Sequence, residues 1–200
     1  MSQAKVLNEK EIRKVLLYIA ANKHAARNKA MFCTLNLSGM RVGELASLKI
    51  SDVLNSDGEI KEEVYLLAEQ TKGDRGRTVL FSKRLREELH HYLSSRFGIK
   101  ELKAINLTDT SKALFATQKN PSRGFTPNTL ATHFHNLYKE VGISGASSHS
   151  GRRGFITSLA NQGVSVRILM ELAGHKSMAV TQKYIDINPA MMRSAVELMR

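Results

Sequence analysis

The sequence predicts a single α+β domain that is mainly helical and carries a small antiparallel β-sheet or hairpin. Apolar residues recur at helical spacing along most of the chain, whereas the clearest β-like alternation is confined to residues 64–68 and 77–81. The 200 residues contain no internal repeat and no linker, so we treat residues 1–200 as one domain. With 42% hydrophobic residues, a chain of this length is able to bury a substantial core.

The first half of the chain predicts helices followed by a hairpin. Asn8 and Glu11 form a capping-box pair that opens the first helix, and the second helix ends at Ser38-Gly39. The glycines and charges of residues 71–76 are typical of an exposed turn between two strands. The predicted elements of this half are a helix from Asn8, a helix from about residue 24 to 37, a short helix over residues 42–48, and strands over residues 64–68 and 77–81.

The second half predicts helices that end at glycines. Ser82 is a favourable N-cap, and Thr126-Pro127 is a strong helix start. Gly163 and Gly174 stand where left-handed C-caps are expected. The predicted elements of this half are a helix from Ser82, a loop over residues 98–112, a third short strand over residues 114–116, a helix from Thr126, helices over residues 150–162, 165–173 and 179–185, and a last helix from about Pro189 to Arg200.

The charge balance favours a polyanionic partner. Lys and Arg number 30 against 18 Asp and Glu, which gives a formal net charge of +12. For a chain without a basic amphipathic membrane helix, such an excess points to nucleic acid. On charge alone, a chain that is basic merely for solubility remains an alternative.

Membrane insertion and secretion are not predicted. The longest apolar run, residues 15–21, is far shorter than the roughly 20 residues that span a bilayer, and the N-terminus lacks the pattern of a signal peptide. The single cysteine, Cys33, lies in an apolar segment and has no partner for an internal disulfide. We therefore expect a reduced, cytoplasmic, nucleoid-associated protein that does not contact a membrane.

Polar residues that packing does not require stand in four short segments. These are residues 38–45 with Arg41, the predicted turn with Lys72, residues 149–152 with His149 and Arg152 three apart at a helix start, and residues 173–184 with His175 and Tyr184. Each has an ordinary explanation when taken singly: an Arg near a Glu forms a structural ion pair, and a helical tyrosine is usually a half-buried aromatic. Their order and spacing point to a shared function.

The order of these residues resembles the catalytic signature of the tyrosine recombinase (phage integrase) family. The matching residues are Arg41, Lys72, His149, Arg152, His175 and Tyr184. The resemblance extends from about residue 6 to the end of the chain, and it implies the fold of a tyrosine recombinase catalytic domain. It also implies a site-specific recombinase or integrase, a strand transferase that cleaves and rejoins DNA through a covalent 3′-phosphotyrosine. Gly151 and Arg153 depart from the family, which usually has Leu and a second His there.

The resemblance implies a role for each of these residues. Arg41 and Arg152 would present rigid donor forks to the non-bridging oxygens of a DNA phosphodiester. Tyr184 would be the nucleophile, and since a free phenol ionises only near about pH 10, it needs a cationic surround or a base such as His149. Lys72 is implied to protonate the leaving 5′ oxygen, and His175 to hydrogen-bond the phosphate.

No cofactor is expected for this chemistry, because the covalent intermediate conserves the energy of the broken bond. The resemblance therefore implies activity independent of metal ions and ATP. The sequence itself has no acidic cluster at metal-ligand spacing and no Gly-x-x-x-x-Gly-Lys loop. Its remaining polar candidates are Glu44, to which we assign a structural role, and five basic residues that are candidates for the DNA backbone, Arg75, Arg77, Lys83, Arg84 and Arg86.

The partners implied by the resemblance are double-stranded DNA, further copies of the chain in a tetramer on DNA, and an accessory DNA-bending or core-binding partner. Most family members carry an N-terminal core-binding domain, whereas the catalytic part begins here almost at Met1. We expect a short form without that domain or a catalytic piece of a larger protein. The Met-rich residues 189–200 predict a helix that docks on a neighbouring protomer, with packing against its own core as the alternative.

Two other functions remain open at this point. One is a DNA-binding regulator that keeps the fold and the charge but no longer cleaves, against which the intact set of six residues argues. The other is an enzyme resembling type IB topoisomerases, which shares the chemistry but relaxes supercoils without exchanging partners.

Overall fold

The structure is a computed structural model that describes residues 4–72, 75–118, 123–185 and 189–199. Its helices are α1 (Glu9–Ala20), α2 (Ala25–Ser38), α3 (Val42–Ser47), α4 (Ile50–Val53), α5 (Lys83–Phe97), α6 (Leu107–Thr110), α7 (Pro127–Glu140), α8 (Ser150–Asn161), α9 (Val166–Ala173), α10 (Met178–Gln182) and α11 (Pro189–Val196). Strands β1 (Glu63–Leu66) and β2 (Arg77–Leu80) pair antiparallel, and within the described residues they form the whole sheet. The predicted mainly helical α+β fold is therefore confirmed.

Helix α2 runs through the centre of the core and packs against α1, α5 and α8. Its buried residues lie on several sides of the helix, with Met31, Phe32 and Leu35 almost fully enclosed, because three other helices cover it. Cys33 lies on the same helix, and burial raises the pKa of its thiol to about 11. α2 ends at Gly39, whose φ of +64° is the left-handed conformation that the Ser38-Gly39 stop predicted.

Glycine allows α8 to approach α2 closely. A Cβ on Gly151 would lie 3.0 Å from Cβ of Leu35 and 3.1 Å from the carbonyl carbon of the same residue. A backbone atom cannot move aside as a flexible side chain can, so a larger residue at position 151 would push the two helices apart. Close helix packing thus explains why Gly151 stands where the resemblance led us to expect Leu.

The C-terminal helices form a second, smaller apolar cluster beside the main core. It is built from Ile156 and Ala160 of α8 and from Leu169 and Ala173 of α9, and Tyr184 packs against it. This cluster places the turn after α10 next to the ends of α8 and α9. It is the scaffold of the C-terminal half of the site described below.

Four local predictions were wrong. Residues 98–112 are not a plain loop, since they contain a 3₁₀ turn over Leu102–Ala104, with Leu102 buried, and the short helix α6. The predicted third strand at residues 114–116 is absent from the described sheet, because Ala113 and Ala116 form only isolated bridges. The two helical turns and residues 114–116 are each too short to show a periodicity that identifies them from sequence.

The other two errors concern the C-terminal helices. The helix predicted over residues 179–185 ends at Gln182, so Tyr184 lies in the turn that follows. The last helix, predicted to reach Arg200, ends at Val196, and residue 200 lies outside the described residues. α4, a single turn, was not predicted at all.

Candidate active site

Arg41 stands where α2 gives way to α3. Its backbone is extended, and its N–H donates to the carboxylate of Glu44 at 2.7 Å, which caps the start of α3. Nη1 of the guanidinium donates to the other carboxylate oxygen at 2.9 Å, and Nη2 donates to the carbonyl of Gly174 at 3.2 Å. Arg41 is therefore held in place by its own helix and by the end of α9.

Arg152 is buried on α8, with only 3% of its surface exposed. Nη1 donates to the carbonyl of Gly39 and Nη2 to the carbonyl of Ala173, both at 2.6 Å. Burial, followed by the neighbouring charge of Arg41, lowers the pKa of Arg152 to about 10. The guanidinium stays charged at neutral pH, and it ties the end of α2 to the end of α9.

Glu44 is the buried anion of this cluster, with 1% of its side chain exposed. Besides Arg41, it accepts from Nε of Arg77 at 3.2 Å and from Nη2 at 2.8 Å. Burial acts to raise the pKa of the Glu44 carboxyl, but the hydrogen bonds and charges of Arg77 and Arg41 outweigh it and hold that pKa below its ordinary value. The structural role assigned to Glu44 is consistent with these contacts.

Arg77 does not face solvent, contrary to its prediction as a DNA-backbone candidate. Two of its nitrogens face Glu44, and Nη1 donates to the carbonyl of Leu172 at 3.0 Å. The prediction failed because β2 directs the guanidinium towards the buried carboxylate of Glu44, 33 residues earlier in the chain. No local sequence pattern reveals a contact over that separation.

Positive charge is in excess at this site, because three guanidinium groups, those of Arg41, Arg77 and Arg152, surround one carboxylate. The imidazole of His175 responds to that field. Burial and then the charges of Arg152, Arg41 and Arg77 lower the pKa of His175 to about 4. Since cations repel protonation of the ring, His175 is neutral at physiological pH, and the same field favours an anion.

Tyr184 lies beside this positive cluster. Its ring stacks on the imidazole of His175, with ring centroids 5.3 Å apart and planes inclined by 26°. Its carbonyl accepts from the hydroxyl of Thr157 at 3.0 Å, which anchors the turn to α8, and its phenol is within electrostatic range of Arg152. In the part of the chain that the structure describes, the phenol oxygen has no hydrogen-bond partner.

His149 shares a cleft with Tyr184. The cleft has a volume of about 610 Å³, and its wall also includes His135, Arg153 and Lys183. His149 is the exposed N-cap residue of α8, and its backbone N–H donates to the hydroxyl of Ser147 at 3.2 Å. It therefore stands outside the helix, whereas Arg152, one turn later, is buried within the cluster.

Lys72 lies on a different element from the other five predicted residues, the hairpin between β1 and β2. It is exposed in the turn between β1 and β2, next to residues 73–74, which are outside the described ranges. Among the described residues it has no hydrogen-bond or ion-pair partner. The structure thus brings Arg41, Arg152, His175 and Tyr184 together, places His149 in the adjoining cleft, and leaves Lys72 on the hairpin.

Two residues that belong to this network were not singled out as site residues from the sequence. Thr181 is fully buried, and its hydroxyl lies 2.9 Å from Nδ1 of His175. Because Thr181 lies three residues before Tyr184, its place in the sequence could have indicated that it belongs to the site. Arg77 offered no comparable signal, because a basic residue at the root of a charged hairpin is usually solvated.

Metal-binding clusters and membrane-spanning helices are both absent from the described residues. No three His, Cys, Asp or Glu side chains in those ranges lie close enough to share a metal ion. Nor does any helix there combine the length and hydropathy that crossing a bilayer requires.

Comparison with known proteins identifies the family. The family model described as the phage integrase family matches residues 5–191, nearly the whole chain. The chain belongs to the phage integrase family. The resemblance inferred from the sequence is therefore confirmed.

Individual members of the integrase family are similar along this entire chain. Tyrosine recombinase XerA of Pyrococcus horikoshii is 31% identical over 197 residues, which cover 98% of this chain and 61% of that protein. A crystal structure of a XerA recombinase is 27% identical and has a TM-score of 0.72, with 100% of this chain and 66% of that chain covered. The chain thus spans somewhat less than two thirds of the length of these relatives.

The fold also recurs in a more distant integrase. The Tn1549 transposon integrase, solved in complex with transposon right end DNA, has a TM-score of 0.72 at 19% identity, with 100% of this chain and 67% of that chain covered. At this identity the likeness shows a shared fold, in agreement with the predicted tyrosine recombinase catalytic-domain fold.

Proposed function

We propose that this chain is the catalytic part of a site-specific DNA recombinase that cleaves and rejoins DNA through a 3′-phosphotyrosine at Tyr184. The observation that carries the proposal is the position of Tyr184. Its ring stacks on His175 beside the guanidiniums of Arg41, Arg77 and Arg152, of which only Arg41 and Arg77 are paired with the carboxylate of Glu44. A tyrosine next to surplus positive charge is suited to attack a phosphodiester and to leave as its ester.

Arg41 and Arg152 form the phosphate clamp in this proposal. Both are held by backbone carbonyls at the ends of α2 and α9, so their remaining donors are oriented before DNA arrives. Donors fixed in advance stabilise the charge that develops on the non-bridging oxygens, and losing one such donor costs about 3–4 kcal/mol of transition-state stabilisation. Removal of either arginine would therefore reduce cleavage by orders of magnitude.

His149 and His175 have different roles. His149 shares the cleft with Tyr184 and takes the phenolic proton. His175 is neutral; with Nδ1 accepting from the hydroxyl of Thr181, its Nε2–H is free to donate to the phosphate.

Lys72 supplies the proton to the leaving 5′ oxygen, as the family resemblance implies. Its exposed place in the hairpin leaves it able to reach a strand of bound DNA. Because the tyrosyl ester conserves the energy of the broken bond, cleavage and rejoining need neither a metal ion nor ATP. Cleavage that proceeds in EDTA without nucleotide would support this part of the proposal, and a strict requirement for Mg²⁺ would contradict it.

Double-stranded DNA is the proposed substrate, and the net charge of +12 supports it. For clamping and synapsis of the DNA we propose further copies of the chain and an accessory core-binding or DNA-bending partner. We place the working protein with the nucleoid in the cytoplasm, where such a substrate is found.

Helix α11 is the proposed docking element between protomers in a tetramer on DNA. Its end and the residues after it expose Met192, Val196, Leu198 and Met199, the last two by 80% and 84% of their surface. These side chains are not packed against the core of their own chain, which favours a neighbouring protomer as their partner. Deleting residues 190–200 should abolish tetramer assembly on DNA, and unchanged assembly would contradict the docking role.

A nicked suicide substrate tests the catalytic proposal. The wild-type chain should form a covalent protein–DNA adduct, and Tyr184→Phe should bind the same DNA without forming one. A non-cleaving regulator would give no adduct with either protein. Exchange of strands between two marked duplexes then separates a recombinase from a topoisomerase, which would relax supercoiled DNA without exchange.

A further inference from the structure

Arg77 joins three parts of the molecule at the root of the hairpin that carries Lys72. Its backbone is the last pair of the β-ladder, opposite Leu66. Its guanidinium reaches Glu44, the residue that also orients Arg41, and the carbonyl of Leu172 near the end of α9. The side chain therefore connects the hairpin to both halves of the arginine cluster.

The contact has little freedom. A Cβ on Gly174 would lie 2.6 Å from Cδ of Arg77, so the stem of this side chain is packed on the turn that precedes His175. The planar guanidinium donates to the Glu44 carboxylate through two nitrogens and to the Leu172 carbonyl through the third. A lysine ammonium does not reproduce this geometry. The root of the hairpin is thus fixed relative to Glu44.

The residues that connect β1 to β2 are also held by contacts of their own. The hydroxyl of Thr71 donates to the carbonyl of Arg75 at 2.6 Å, which closes the base of the turn. A Cβ on Gly76 would lie 2.3 Å from the Tyr65 hydroxyl and 2.9 Å from the carbonyl oxygen of Leu66, so the chain just before β2 lies close against the end of β1. Movement at Arg77 would therefore be passed to Lys72, which lies five residues before it.

We propose that Arg77 is a positioning residue for DNA cleavage, which holds the root of the Lys72 hairpin on Glu44 so that the proton donor and the Arg41 clamp meet the phosphate in one fixed geometry. This inference rests on the proposed recombinase function. In the step concerned, the Tyr184 oxygen gives its proton to His149 and bonds to phosphorus, the bond from phosphorus to the 5′ oxygen breaks, and that oxygen takes a proton from Lys72. Arg77 itself touches neither the DNA nor the reacting atoms.

The test compares two suicide substrates, one with the normal 5′ oxygen and one with sulfur at that bridging position. Sulfur leaves as a thiolate without needing a proton, so it bypasses a misplaced acid. Arg77→Gln should cleave the oxygen substrate about 100-fold more slowly than wild type at saturating protein, because misplacement by about 1 Å costs that much. Its deficit on the sulfur substrate should be at least about tenfold smaller, with unchanged DNA affinity.

Arg77→Lys serves as a second variant, since it keeps the charge and is better able to fold. Arg77→Lys should also cleave the oxygen substrate more slowly than wild type, and its deficit should likewise be smaller on the sulfur substrate. Arg96→Gln is the matched control, because Arg96 is also partly buried and donates to backbone carbonyls, those of Ala113 and Leu114, away from the site. Arg96→Gln should lower the thermal unfolding midpoint. Any fall in its cleavage rate should be the same on the oxygen and the sulfur substrate.

Each outcome decides between the alternatives. Wild-type rates in both Arg77 variants, or an equal deficit on oxygen and sulfur substrates, would overturn the positioning role while leaving the proposed function intact. Absence of any adduct with the wild-type chain would overturn the proposed function, and this inference with it.

Discussion

The imidazole of His175 is stacked on the phenol ring of Tyr184, 5.3 Å between centroids, while Nδ1 of that imidazole lies 2.9 Å from the hydroxyl of Thr181. Thr181 is fully buried on α10, the helix that leads into the Tyr184 turn, so the imidazole of His175 is held against that helix. The orientation of the tyrosine ring therefore depends on a hydrogen bond that does not involve it.

Thr181→Val should remove that hydrogen bond while preserving the shape of the side chain. We expect a loss of about 1 kcal/mol in the free energy of unfolding and a fall of about tenfold in adduct formation, since the imidazole is no longer held. Thr181→Ser is the control: it keeps the hydroxyl, loses a buried methyl group, and should be destabilised to a similar extent while cleaving at nearly the wild-type rate. Equal cleavage by the two variants would show that the hydrogen bond does not orient the site.

His175 should remain neutral throughout the physiological pH range. Its pKa of about 4 in the folded chain lies below the ordinary value of 6.5. Between these values the unfolded chain binds a proton that the folded chain does not, so this residue lowers stability as the pH falls from 6.5 towards 4. An NMR titration, with the ring signal assigned from its loss in His175→Asn, should show a midpoint near 4. A midpoint near 6.5 would mean that the ring does not experience the arginine field.

Gly151→Ala should destabilise the fold, although alanine favours helices. The added Cβ would meet Leu35, including its backbone carbon at 3.1 Å, and overpacking of this kind costs about 1–3 kcal/mol. Gly154→Ala, one turn along the same helix, is the matched control, because a Cβ there would find its nearest neighbour, Val6, at 4.0 Å. That variant should gain up to about 1 kcal/mol from helix propensity. Chemical denaturation measures both, and a shift of the same sign in both variants would contradict the packing explanation.

Glu44→Gln should cost about 3 kcal/mol of stability at neutral pH, because it leaves the guanidiniums of Arg41 and Arg77 facing each other without a buried anion. The pKa of Glu44 lies below its ordinary value of 4.5, so its contribution is complete above that pH and is lost as the pH falls through the lower folded-state pKa. The difference in unfolding free energy between wild type and variant should be constant from about pH 5 to 8 and shrink in more acidic solution. A difference that shrinks already above pH 5 would contradict the ion network described here.

Much of the scaffold could be predicted because its signals are local. The Asn8 and Glu11 capping box, the Ser82 N-cap and the left-handed glycine at position 174 are short-range features, and the structure contains each of them. The segment over residues 98–112 failed because its helical turns are too short to show a period, even though Leu102 is buried.

The six candidate residues of the site could be named from their order along the chain, but their arrangement could not. Nothing near Arg77 in sequence indicates a carboxylate 33 residues earlier, and nothing near Arg152 indicates that it is buried against two turns. Contacts of this kind depend on how α2, α8, α9 and the hairpin converge, which is a property of the whole fold.

The central claim is that the phenol oxygen of Tyr184 becomes bonded to DNA. Mass spectrometry of the protease-digested product formed with a suicide substrate tests it most directly. We predict an oligonucleotide attached to the peptide that contains Tyr184, with attachment lost in Tyr184→Phe. An oligonucleotide attached to any other residue, or an adduct that persists in Tyr184→Phe, would contradict the account.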